Sequence, residues 1–105
     1  MAQDAIVVFI TCPPDRASAL AETLVGSGLA ACVNVVPNLR SVYRWKGAVQ
    51  RDDEALLIVK TARDRFEALR EAVLANHSYE VPEIIALPVE RGHAPYLEWI
   101  MESTR

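Results

Sequence analysis

Cysteine is scarce in this chain of 105 residues, with Cys12 and Cys32 the only two. Two thiols are too few for a disulfide framework and lack the paired CxxC spacing of a structural zinc site, so both are expected reduced. Clustered positive charge is missing as well. Eleven Lys and Arg face fourteen Asp and Glu, a net charge of −3. No basic run supplies the face that neutralises phosphates, which argues against a nucleic-acid partner. Long apolar runs are also absent: Ala5–Ile10 is too short to cross a bilayer or act as a signal h-region, and the opening MAQDA has no positive n-region. A cytoplasmic protein with no membrane partner is expected. The chain has no Gly-rich phosphate loop, no GxSxG and no HExxH, and neither cysteine has a neighbouring histidine in sequence to serve as its base. Catalysis is not expected.

What is present fits one domain over residues 1–105, burying roughly two thirds of its unfolded surface. The run AIVVFITC (Ala5–Cys12), closed by Pro13-Pro14, predicts a strand buried on both faces. Asp15 offers an N-cap, and Ala17, Leu20, Ala21, Leu24 and Val25 share one helical face that Gly26 and Gly28 terminate. LAACVNVV (Leu29–Val36) predicts the next strand, broken by Pro37-Asn38. RSVYRWKG and DEALLIVKTA predict a hairpin turning near Lys46-Gly47, with Ser41, Tyr43 and Trp45 on the face opposite Val42. Asp64 and Glu67 have capping-box spacing, Phe66, Leu69, Val73 and Leu74 follow at helical intervals, and Asn76 is placed to end that helix. EIIALPVE (Glu83–Glu90) is the last strand, and Pro95 starts a terminal helix carrying Tyr96, Leu97, Ile100 and Met101.

Strand, helix, strand, strand, helix, strand is the α+β, ferredoxin-like βαββαβ order, with a short helix appended. Its two main helices cover a single sheet face. Yet Ile6–Ile10, Leu56–Val59 and Ile84–Leu87 are apolar at successive positions and present hydrophobic groups to both faces. Leaving five or six of them wet would forgo roughly 1.5–3 kcal/mol each, so self-association into a closed symmetric oligomer is expected.

The segments ACVNVVPNLRSVYRWKG, LLIVKT and YEVPEIIALPVERGHAPYLEWI, in that order, resemble the signature segments of the CutA divalent-cation tolerance family from end to end. The resemblance implies a tight homotrimer of ferredoxin-like subunits, a cytoplasmic setting and a role in tolerance to copper and other divalent cations, bound weakly. It carries the metal role most directly to His77, before the Tyr79-Glu80-Val81-Pro82-Glu83 stretch, although this chain has Ser78 where the family commonly has proline. The cysteine implicated in copper binding in some relatives falls on Thr11, which leaves Cys12 one position away on a strand whose faces alternate. The family also resembles the PII signalling proteins, implying a rival reading in which a small anion or metabolite occupies an intersubunit cleft near Tyr43, Trp45, Lys60 and Glu83.

Each of these residues has a plainer role beside the functional one. Copper and zinc need three or four imidazole, thiolate or carboxylate donors converging on the ion, whereas His77 after a helix end can simply complement its dipole. Tyr43 and Trp45 can pack in a core or interface, Lys60 can snorkel from its apolar run, and Glu80 and Glu83 can pair with basic side chains.

Overall fold

The computed structural model describes residues 4–105; the first three residues of MAQDA lie outside the described residues. Four strands form one antiparallel sheet: β1 (Ala5–Cys12), β2 (Cys32–Trp45), β3 (Ala48–Ala62) and β4 (Ile84–Pro88), in spatial order β2-β3-β1-β4. Helix α1 (Ala17–Gly26) connects β1 to β2, α2 (Phe66–Asn76) connects β3 to β4, and α3 (Ala94–Ser103) follows the sheet. This is the split βαβ arrangement that the pattern of elements predicts.

Strand alternation sorts the side chains. Ile6, Val8, Ile10 and Cys12 of β1 join Ala55, Leu57 and Val59 of β3 against Ala17, Leu20 and Leu24 of α1 and Leu69 and Val73 of α2, all buried. The other face carries the intervening residues. There Ala5 is sealed by Leu97 and Ile100 of α3, so α3 shields one end of that face. Further along, Val7, Phe9, Leu56 and Ile58 are half-buried, and Ile85 and Leu87, paired with Phe9 and Val7, are 52% and 44% exposed. A bare apolar face is therefore a feature of the single chain.

Pro37-Asn38 does not break β2. The strand runs through it with a register shift: Val36 opposes Leu56, but Leu39 opposes Glu54, three steps on one strand against two on the other. One extra residue is a β-bulge, and Asn38 takes the left-handed conformation at φ 63° that asparagine tolerates well. Two short strands become one 14-residue strand that continues past the sheet body as a hairpin with β3. At its tip Lys46 and Gly47 both have positive φ, 50° and 81°, between the paired Trp45 and Ala48. That is a type I′ turn, whose twist suits a two-residue hairpin.

The expected caps are not the ones used. Asp15 and Asp64 lie within single 3-10 turns, Pro14–Arg16 and Arg63–Arg65, and neither α1 nor α2 has a side-chain N-cap hydrogen bond. Each tight turn bends the chain off a strand and leads straight into the helix, displacing the acidic residue from the cap position. Asn76 is the last residue of α2, not the one beyond it; its side-chain amide donates to Ala72 O at 2.8 Å.

Candidate functional site

The bulge decides which residues meet. Before it, Cys32 pairs with Lys60 and Val36 with Leu56; after it, Ser41 pairs with Asp52 and Tyr43 with Gln50. The parity of β2 is thus reversed, and Ser41, Tyr43 and Trp45 come onto the face of Glu54, which shares the parity of Leu56 and Ile58. The segment after α2 supplies the opposite wall. Arg16 Nη2 donates to Asn76 O at 3.3 Å, and His77 leaves the helix in an extended conformation. Its ring is then held twice. Nε2 lies 2.7 Å from Thr11 O, and the Tyr79 amide donates to Nδ1 at 3.1 Å. A carbonyl can only accept, so Nε2 carries the proton and Nδ1 is the acceptor: a neutral imidazole with both nitrogens in use.

That anchorage sets Tyr79 against the His77 ring, centroids 4.5 Å apart and planes tilted by 56°. Glu54 is 6% exposed, and its carboxylate is the charged group that acts on the Tyr79 hydroxyl. Burial, then the bond to Glu54, push the Tyr79 hydroxyl well above its ordinary range. Between the hairpin and residues 78–83 lies an open groove of about 690 Å³, lined among others by Tyr43, Trp45, Glu54, Tyr79, Glu80 and Glu83. Tyr43 donates to the Asp52 carboxylate, which pushes its hydroxyl above the ordinary tyrosine value as well.

Of the residues singled out in the sequence, the groove unites Tyr43, Trp45 and Glu83 and leaves out Lys60. Lys60 stands six positions from Glu54 along β3, about 20 Å at 3.3 Å per residue, with its ammonium on Asn34 Oδ1. Glu54 and Tyr79 were not singled out as site residues. The signal for Glu54 was its parity with Leu56 and Ile58, an acid in line with the apolar row on the helix-free face of β3.

His77 and Cys12 are close in the fold, since the His77 ring bonds the residue preceding Cys12, but they do not form a metal centre within one chain. Cys12 is 1% exposed on the helix-covered face, and burial, followed by the Glu54 charge, pushes its thiol up. Both nitrogens of His77 are committed to backbone partners. Among the described residues, no three His, Cys, Asp or Glu side chains are grouped so as to hold an ion. The donors present therefore do not fit a preformed copper site.

Comparison with known proteins agrees with this architecture. The model of the CutA1 divalent ion tolerance protein family matches residues 6–103. Protein CutA 1, chloroplastic, of Oryza sativa subsp. japonica is 52% identical over 101 residues, 95% of this chain and 57% of its own length. The divalent-cation tolerance protein CutA of Thermus thermophilus is 52% identical over 99 residues, 93% of this chain and 96% of its own. The chain thus spans little more than half the length of the plant relatives it matches. The solved Thermus thermophilus Cut A1 structure superposes with a TM-score of 0.94 at 50% identity, covering 96% of this chain and 99% of that one. The PII-like protein CutA of Nostoc sp. PCC 7120, in apo form, gives 0.90 at 28% identity, with 95% and 97% covered. With the family model spanning nearly the whole chain and relatives identical at half its positions, this protein belongs to the CutA1 divalent ion tolerance family.

Proposed function

We propose that this protein serves divalent-cation tolerance as a cytoplasmic homotrimer, binding a small ligand in the groove between the β2–β3 hairpin and residues 78–83 rather than catalysing a reaction. The carrying observation is the groove itself: one buried carboxylate, three aromatic side chains and about 690 Å³ of open space brought together by a bulge and an anchored loop. Concave, partly apolar sites with a few converging polar groups are where small molecules bind. The fold shared with a protein described as PII-like supports a sensor or carrier role.

The trimer rests on the bare sheet face, where Ile85 and Leu87 are exposed and Phe9 and Ile58 only half-buried within the chain. A closed symmetric assembly buries the same patch on every copy. Light scattering at micromolar concentration is expected to give the mass of three chains, and a monomer would overturn the assembly. The free thiols of Cys12 and Cys32 suit a reducing compartment. For the groove, a Trp fluorescence titration against nucleotides, organic acids and amines is expected to show a saturable shift with one class; no response to any would remove the ligand reading.

A second reading, direct weak copper binding through His77, has one observation in its favour: the imidazole lies against the backbone next to Cys12. It requires a ring nitrogen to give up its present partner. Copper titration of wild type against His77→Ala tests it, and an unchanged isotherm excludes His77.

A further inference from the structure

Building on the assignment of the groove as a ligand site, we infer that its occupant is a small organic cation, an amine, guanidinium or quaternary ammonium with an apolar body, and that Glu54 recognises its charge. Three carboxylates, Glu54, Glu80 and Glu83, line the groove, and no Lys, Arg or His is among its lining residues. Arg40 near the hairpin is engaged elsewhere, its Nε 3.3 Å from Asp53 Oδ1, and Lys46 at the hairpin tip lies 5.7 Å from the Trp45 ring centroid without being among the lining residues. An anion would enter a site of its own sign.

The character of Glu54 sharpens the choice. A carboxylate that is only 6% exposed has lost most of its hydration. It offers about four acceptor positions, with the Tyr79 hydroxyl as the neutral polar group beside it. Burying a charge is costly unless donors and counter-charge replace the water. An ammonium or guanidinium entering from the groove brings both. Its apolar part then packs on the rings of Tyr43 and Trp45, which line the same groove. The Trp45 ring already has the chain's own cation close by, with Lys46 Nζ 5.7 Å from its centroid.

A bare metal ion fits less well than an organic cation. The groove carboxylates are not gathered with any third His, Cys, Asp or Glu into a group that could hold an ion among the described residues. They are spread around a space suited to a larger body whose charge is at one end.

The test is a titration followed through Trp45 in a Trp99→Phe background, which removes the second tryptophan, situated on α3 away from the groove lining. Choline and agmatine are the cationic probes. The neutral isostere 3,3-dimethylbutanol, citrate, ATP, Mg2+ and Cu2+ are the controls. Saturable quenching by a cationic probe is expected, roughly tenfold or more weaker for the neutral isostere and for Glu54→Gln, and weakening further as salt rises. Because Glu54 is buried, Glu80→Gln combined with Glu83→Gln provides a second variant at exposed positions, with a smaller loss of the same sign expected. Equal binding of the isostere, or binding unchanged in a folded Glu54→Gln protein, overturns the cationic class while leaving the groove as a ligand site. Quenching by citrate, ATP or a divalent ion in place of the amines does the same. Silence of Trp45 toward every probe overturns the groove reading itself.

Discussion

The two faces of the sheet are made by the same strands and treated in opposite ways. On the face covered by α1 and α2, Ile10, Leu57 and Val59 are fully buried; on the other, Phe9 and Ile58 are half-buried and Ile85 is half exposed. Both rows are apolar, so composition does not separate them. What separates them is chain connectivity: both βαβ crossovers place their helices on one side, and the short α3 seals only the end at Ala5. The covered face stabilises the subunit. The uncovered one is the surface of the proposed assembly, and its far end, past the bulge, carries the groove.

Substitutions that separate these roles test the contrast. The largest effect is expected from Ile85→Glu combined with Leu87→Glu. Each apolar side chain kept in water forgoes roughly 1.5–3 kcal/mol of burial, and the loss repeats in every copy. The particle measured by light scattering should fall to one chain while the far-UV circular dichroism of the fold persists; an intact trimer would show that this face is not the interface. Leu57→Ala, on the covered face, should cost about 2–5 kcal/mol per subunit as a cavity, read from urea midpoints at fixed protein concentration. A loss well under 1 kcal/mol would mean that face is not the structural core.

Smaller effects lie at the edge of the groove. His77→Ala removes the ring that ties Thr11 to the Tyr79 amide. Leaving one half-buried donor and one acceptor unpaired should cost about 1–3 kcal/mol, together with faster amide exchange at Tyr79. Stability equal to wild type would show that the ring is free and available to a metal.

Much of this was legible in the sequence, and the part that was not has local causes. The strand–helix order followed from period-2 and period-3.6 patterns long enough to be unambiguous. Apolar residues at successive positions of β1 already showed that both sheet faces needed cover. The bulge was not legible, because Pro37-Asn38 in a short window reads as a stop, and only pairing with the long β3 carries the strand through it. Lys60 shares its sheet face with the groove, yet it pairs with Cys32 ahead of the bulge, whereas Glu54 pairs with Leu39 behind it. Glu54 itself was visible as an acid in register with Leu56 and Ile58. Its partner Tyr79 was not, since the contact spans 25 positions and depends on the His77 anchor. The acidic caps failed for a similar reason: a 3-10 turn interposed by tertiary packing takes the place of a capping box.

The smallest expected effect separates the two faces by pH. On the groove side, burial and the bond to Glu54 raise the Tyr79 hydroxyl above its ordinary value of 10.0; on the covered side, burial raises the Cys12 thiol above 9.0. In both cases the folded state holds its proton after the unfolded chain has released it. The stabilisation is therefore complete below the unfolded value and is lost as pH rises above it, because the unfolded state then binds fewer protons than the native one. Wild-type stability should begin to fall near pH 9 through Cys12 and fall further beyond pH 10 through Tyr79. Cys12→Ala should remove the first part of the decline and Tyr79→Phe the second. Tyr79→Phe is less stable near neutrality, where Glu54 loses its donor, so its urea midpoint should approach that of wild type as pH rises. If the two curves run parallel up to about pH 11, the Tyr79 hydroxyl is solvated and is not held against Glu54.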